Sequence, residues 1–147
     1  MTTGRPPDAP RVLLVEDEPN IREAMRFILS RDGWDVAVHA DGATAAARIA
    51  EEAPDVVVLD VMLPRVSGFD VLRAVRGAGA DLPVMMLTAR GQERDRELAM
   101  SLGASGYMSK PFSNGELLER LRDLLPEGHL VAGAGRGARR PSAGDAA

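Results

Sequence analysis

The sequence predicts one doubly wound α/β domain, with five parallel strands and helices packed on both faces of the sheet. Three observations carry this expectation. Five short apolar runs alternate with five helical patterns between residues 11 and 125, the order that right-handed crossovers turn into a parallel sheet. The third run, Val56-Val57-Val58-Leu59, is apolar at every position, as suits a strand buried on both faces. Four of the runs end on polar residues, which a parallel sheet gathers at the edge where its strand C-termini open.

Each element follows from local chemistry. Strand one is expected over 11–16. Pro19 suits the first turn of a helix over 19–31, where Ile21, Ala24, Met25, Ile28 and Leu29 fall on one face. Asp17 or Glu18 can cap it, and Asp32-Gly33 ends it. Strand two covers 34–38. Asp41 caps a helix over 42–52, which Pro54 stops. Strand three covers 55–60, and helix three 68–77 follows a loop with Pro64 and Gly68. Pro83 is tolerable as the first residue of strand four, 83–87. Helix four, 91–102, is ended by Gly103, and strand five covers 105–109. Helix five, 113–125, opens with a capping box of Ser113 and Glu116 and buries Leu117, Leu118, Leu121, Leu124 and Leu125.

Composition narrows the function. The chain has 147 residues, 45% hydrophobic and 27% charged, so one domain with a core is expected. Aromatics at 3% leave Val, Leu, Ile, Ala and Met to build that core. A formal net charge of −4 argues against direct nucleic-acid binding. With no cysteine, neither a disulfide framework nor thiolate chemistry is available, which fits the cytoplasm. No apolar run approaches a membrane span, and residues 1–10 lack the apolar stretch of a secretory signal. Residues 1–10 are expected to be a flexible lead. Residues 126–147, rich in Gly, Ala and Arg, are expected to be a flexible tail too short for a DNA-binding module. The lead is neutral and the tail nets +1, which leaves −5 on residues 11–125.

The strand ends carry the chemistry. Asp60 closes the most apolar strand, where an unpaired carboxylate is expensive. The residues after it do not start a helix at once, which weakens a simple capping role. A carboxylate in such a place can act as a nucleophile and form an aspartyl phosphate. Glu16 and Asp17 close strand one. Clustered acids repel and need a cation, and a hard divalent ion such as Mg²⁺ suits carboxylate oxygens, with Glu16 reaching it through water. Thr88 and the Ala89 N–H at the end of strand four can donate to phosphoryl oxygens. Lys110 offers a point charge. It is the only lysine among 18 cationic residues, so arginine is the default surface cation and a lysine at a strand end marks a specific demand. Tyr107, the only tyrosine, is either core or a ring that swings between buried and exposed positions as Thr88 moves. His39 and His129 read as surface residues. Met62 and Arg90 flank the in-line approach to Asp60, and neither can act as a base for water. An aspartate-nucleophile phosphatase is the competing class, but it needs an acid two residues after the nucleophile, where Met62 stands.

Leu14-Val15-Glu16-Asp17-Glu18-Pro19, Leu59-Asp60-Val61-Met62-Leu63-Pro64 with Gly68, Leu87-Thr88-Ala89-Arg90, Leu102-Gly103-Ala104 and Lys110-Pro111-Phe112 together resemble the receiver domain of two-component response regulators. The resemblance covers 11–125 and implies a flavodoxin-like fold with strand order 2-1-3-4-5. It implies that Asp60 takes a phosphoryl group from a histidine kinase or a phosphotransfer protein. It also implies Mg²⁺ on Asp17, Asp60, the Met62 carbonyl and, through water, Glu16. Thr88, Tyr107 and Lys110 would be the switch and phosphate contacts, and the α4–β5–α5 face would meet a downstream protein. The nearest flavour is the receivers of winged-helix transcription regulators. Those usually carry two acids before the strand-five aromatic, where this chain has Ser105-Gly106. Arg120 is thus expected to lose its partner, although Arg96 and Glu116 can still pair, and a monomer or weak dimer is expected.

Overall fold

Five parallel strands form one sheet in the order β2-β1-β3-β4-β5 in the computed structural model, which describes residues 9–89 and 93–125. The elements in chain order are β1 (Arg11–Val15), α1 (Pro19–Arg31), β2 (Asp35–His39), a 3₁₀ turn (Gly42–Thr44), α2 (Ala45–Glu52), β3 (Val56–Asp60), α3 (Gly68–Gly77), β4 (Val84–Ala89), α4 (Glu93–Ser101), β5 (Gly106–Lys110) and α5 (Asn114–Leu124). The expected flexible lead and tail, apart from residues 9 and 10 of the lead, lie outside the described residues, as do Arg90 and His129. No helix of the described residues is long and apolar enough to cross a membrane.

Strand alternation divides the core into two layers. Leu13, Val15, Val57, Leu59 and Met86 face α2, α3 and α4, where Ile49, Leu72 and Ala99 meet them. Val12, Leu14, Val58, Met85 and Leu87 face α1 and α5, which bring Met25, Leu29, Leu117 and Leu121. All five residues of β3 are buried, as a central strand covered on both faces requires.

Several boundaries differ from those the sequence predicts. β2, β3, β4 and β5 each begin one residue later than expected, and β4 runs on to Ala89, carrying Thr88 inside the ladder. Asp41 caps the 3₁₀ turn, with its side chain accepting from the Ala43 N–H, and α2 proper begins at Ala45 behind Thr44, which makes no side-chain cap. On α1, Ala24 lies exposed although it shares the predicted apolar stripe, because the buried stripe narrows to Met25 and Leu29. On α5, Ser113 accepts from the Glu116 N–H, but the Glu116 carboxylate turns to Arg120 at 3.5 Å and the box is not reciprocal. The full capping box stands on α3, where Ser67 and Asp70 bond each other's backbone N–H.

Candidate functional site

The strand order brings the ends of β1, β3, β4 and β5 to one edge, and four of the expected site residues meet there. Asp60, the last residue of β3, is 2% exposed. Its Oδ2 accepts from Lys110 Nζ at 2.8 Å and its Oδ1 from the Met62 N–H at 3.0 Å. Lys110 also donates to Glu16 Oε1 at 3.3 Å, and Glu16 Oε2 accepts from the Glu18 N–H at 3.1 Å. Asp17 lies further toward solvent, and no described residue donates to its carboxylate. Oxygen atoms of Glu16, Asp17 and Asp60 lie within 4.8 Å of one another.

Glu16 and Asp60 are as buried as core leucines, and their electrostatics show the strain of that placement. Burial first, and the charge of Asp60 second, push the Glu16 carboxyl up to about 7. The Glu18 N–H and Lys110 pull it down without overcoming them. Burial also works against the Lys110 ammonium, yet the Asp60 and Glu16 carboxylates outweigh it, and its pKa is raised. Among the described residues, Lys110 is the one cationic side chain that bonds these carboxylates, at Asp60 and Glu16, and none bonds that of Asp17. The donors are all hard oxygens, and the Asp17 carboxylate is open. This donor set fits a divalent ion such as Mg²⁺.

The local chain explains why these groups hold their places. Glu18, the true N-cap of α1, accepts from the Asn20 and Ile21 N–H groups, which frees Asp17 from capping. Arg22, one turn into α1, donates to the Glu16 carbonyl at 3.0 Å and the Asp17 carbonyl at 3.3 Å. After β3 the chain turns under Gly68, where a Cβ would lie 2.3 Å from the Asp60 carbonyl oxygen. Only a glycine lets α3 start that close to Asp60. Gly42 does the same for the far side of this loop, with a Cβ 2.7 Å from the Val66 carbonyl oxygen.

Thr88 is buried at the end of β4, opposite Ser109 of β5, and makes no hydrogen bond to Asp60, Glu16 or Lys110. Ala89 lies opposite Lys110. Met62 is 67% exposed beside Asp60. Tyr107 is half-buried, with the Arg96 guanidinium 4.8 Å from its ring centre and that of Arg120 at 5.9 Å. Arg96 and Glu116, which could have paired, each take another partner. Arg96 reaches Glu93 one turn away on its own helix at 2.6 Å. Arg120 is not left without a partner, since it donates to the Tyr107 carbonyl at 2.6 Å. His39 is half-buried rather than a plain surface residue, and its ring meets Thr44 Oγ1 at 2.7 Å and Arg48 at 3.3 Å.

A family model described as the response regulator receiver domain matches residues 12–122. The chain belongs to this family. The receiver is 48% identical over 115 residues to the transcriptional regulatory protein TrcR of Mycobacterium tuberculosis, covering 78% of this chain and 45% of that protein. It is 45% identical over 115 residues to the response regulator MprA of the same organism, covering 78% of this chain and 50% of MprA. The chain thus spans about half the length of the curated relatives it matches. Among solved structures, a putative response regulator from Chloroflexus aurantiacus superposes with a TM-score of 0.75 at 30% identity, over 79% of this chain and 97% of that one. The chemotaxis protein CheY4 of Vibrio cholerae gives 0.74 at 32% identity, over 80% and 99%. The receiver fold of these neighbours is the fold found here.

Sequence reasoning found the carboxylates and the lysine and missed the groups that hold them. Ser67 and Asp70 carried a readable signal, a serine three residues before an acid. Arg22 carried none, because nothing in its helical spacing points back across the loop. Asp32 was read only as a helix end, yet it is buried, accepts from Trp34 Nε1 at 3.2 Å and pairs with Arg122 at 3.1 Å, tying α1 to α5.

Proposed function

We propose that this receiver is a phosphoacceptor switch in which Asp60 takes a phosphoryl group from the phosphohistidine of a histidine kinase or phosphotransfer protein. An Asp60 carboxylate oxygen attacks phosphorus in line. The P–O bond forms as the P–N bond breaks, and the electron pair returns to the imidazole, which takes a proton from solvent. The observation that supports this reading most is the setting of Asp60, buried, held by the lone lysine and grouped with two more carboxylates. Asp17, Asp60, the Met62 carbonyl and, through water, Glu16 are the groups that would hold Mg²⁺. The ion supplies positive charge against the oxygens of the incoming phosphoryl group.

The remaining roles belong to this chain's own side chains. Lys110 exchanges its bond to the Asp60 carboxylate for one to a phosphoryl oxygen. The Thr88 hydroxyl and the Ala89 N–H donate to the others, drawing the end of β4 toward Asp60. Phosphorylation adds about 1.5–2 negative charges there. Tyr107 and the α4–β5–α5 face change in response, and a downstream protein reads the change in the cytoplasm. The receiver in this reading assists its own phosphorylation and dephosphorylation and acts on no other substrate. The phosphatase alternative lacks its proton donor, since Met62 cannot supply a proton.

The test uses a small acyl phosphate with Mg²⁺ and intact mass. Wild type should gain one phosphate, and Asp60→Asn should gain none. Phosphate on Asp60→Asn at the wild-type rate would refute the assignment.

A further inference from the structure

We infer that Arg22 is a positioning residue for the cation site: by gripping the backbone between β1 and α1 it sets where the Asp17 carboxylate stands, and so sets the affinity for Mg²⁺. The inference rests on the Mg²⁺ reading above and adds a residue to it.

The argument starts from what fixes the three residues between strand and helix. Glu16 keeps one strand-like bond, from its N–H to the His39 carbonyl at 3.0 Å. Its carboxylate is held at both oxygens, by Lys110 and by the Glu18 N–H. Glu18 is held as the cap of α1. Asp17 has none of this, because no described residue donates to its carboxylate. Its side chain stands wherever its backbone puts it. The groups left to fix that backbone are the Glu16 and Asp17 carbonyls, which lie between the ladder of β1 and that of α1. Nη1 of Arg22 donates to both, at 3.0 and 3.3 Å. The half-buried Arg22 is rooted in the first turns of α1, with its own N–H on the Glu18 carbonyl at 2.9 Å. One guanidinium nitrogen thus ties the orientation of two consecutive peptide groups to a rigid helix.

The contact is with carbonyls and not with carboxylates, and this separates two effects of opposite sign. Arg22 carries a permanent positive charge close to a cation site. If that charge were its main influence, removing it would tighten Mg²⁺ binding. If it acts by holding the loop, removing it lets Asp17 wander from the other carboxylates and weakens binding. Residues that orient metal ligands in this way commonly change affinity by about 10–100-fold when lost.

The experiment is calorimetric titration of the full chain with Mg²⁺ alone, for wild type, Arg22→Met, Arg22→Lys and Asp17→Asn. Melting without metal is recorded alongside, and phosphorylation by an acyl phosphate is followed across Mg²⁺ concentration. Arg22→Met should bind Mg²⁺ about tenfold more weakly. Its phosphorylation should need correspondingly more Mg²⁺ and reach the wild-type plateau once the site is filled. Arg22→Lys, which keeps the charge but ends one bond short of the position of Nη1, should fall between. A purely structural role would lower the melting temperature and leave the Mg²⁺ affinity of the folded protein unchanged. Binding by Arg22→Met equal to or tighter than wild type overturns the inference. If Arg22→Met does not fold, Arg22→Lys decides, and wild-type affinity in that variant overturns it. Wild type that takes up no Mg²⁺, or Asp17→Asn that binds like wild type, sinks the metal reading itself. Normal behaviour of those two proteins with an unchanged Arg22→Met sinks only the role of Arg22.

Discussion

The raised pKa of Glu16 turns into a pH dependence with a definite sign. In the folded chain the Glu16 carboxyl is pushed up to about 7, against 4.5 for a free glutamate side chain. Between those two values the folded state holds a proton that the unfolded chain has released. Stability of the metal-free protein therefore falls as pH rises through this window and levels off above it. The distance between those two values sets a ceiling of about 3 kcal/mol, and part of it is shared with Asp60 and Lys110, so about 2 kcal/mol is expected. For a folded part of this size that is a loss of about 5–10 °C in melting temperature between pH 5 and pH 8. A divalent cation removes the cause by joining the carboxylates. Its stabilising effect should therefore be larger at pH 8, where it meets ionised Glu16, than at pH 5.5, where it must displace a proton. The assay is thermal denaturation at several pH values, with and without millimolar Mg²⁺, beside Glu16→Gln. In that variant the pH slope should flatten. A metal-free melting temperature that does not fall from pH 5 to pH 8 would show that burial and the Asp60 charge do not hold the proton on Glu16 in the folded protein. A Mg²⁺ effect equal at both pH values would show that the ion does not meet Glu16.

Three other outcomes follow from named contacts. Gly68→Ala should lower stability by about 2–3 kcal/mol in chemical denaturation, because its Cβ meets the Asp60 carbonyl at 2.3 Å and the loop after β3 must move; a loss under about 0.5 kcal/mol, the size of an ordinary surface substitution, would contradict that close approach. Loss of phosphate should be slow in wild type and faster in Met62→Asn, since the exposed methionine beside Asp60 cannot orient a water and an amide can; equal decay of phosphate in the two proteins removes Met62 from control of the lifetime. The phosphorylated protein should stay monomeric or weakly dimeric in sedimentation, because Ser105-Gly106 offers no acid to Arg120, which already bonds the Tyr107 carbonyl; a tight dimer at low micromolar concentration would show that those acids are dispensable.

The legible part of the molecule is the part written in local chemistry. Val56-Val57-Val58-Leu59 could only be a strand covered on both sides, and that strand fixes Asp60 at the sheet edge. Pro19, Asp32-Gly33 and Pro54 set helix ends that the structure keeps within a residue. The lone lysine stood out by its rarity, and it stands 2.8 Å from Asp60. What escaped is long in sequence or set by competition among partners. Arg122 reaches Asp32 across 90 positions. The box expected at Ser113 lost its second half because Glu116 has Arg120 one turn away as an alternative partner. Arg96 likewise took the nearer Glu93, and spacing alone cannot rank two acids that a flexible guanidinium can both reach. The glycines at 42 and 68 are plain in the sequence, but the carbonyls they make room for are not.

The surroundings of Tyr107 place an energetic condition on its proposed part in the switch. In this conformation the ring has Arg96 of α4 on it at 4.8 Å and Arg120 of α5 at 5.9 Å. Each cation over a ring that is not fully desolvated is worth about 0.5–1 kcal/mol, so turning the half-buried ring away forfeits about 1–2 kcal/mol before any new contact forms. The phosphoryl group must supply at least that much through Thr88, which lies on the neighbouring strand two residues beyond Met86, the partner of Tyr107 in the sheet. A charge-assisted bond from the Thr88 hydroxyl to a phosphoryl oxygen is of the right size, at about 1.5–3 kcal/mol. The margin is narrow. In the proposed switch such a margin would keep the unphosphorylated ring in place and leave one phosphate enough to move it. It also makes Arg96 and Arg120 the residues on which the balance turns, since each holds the ring from a different helix of the face that a partner would read.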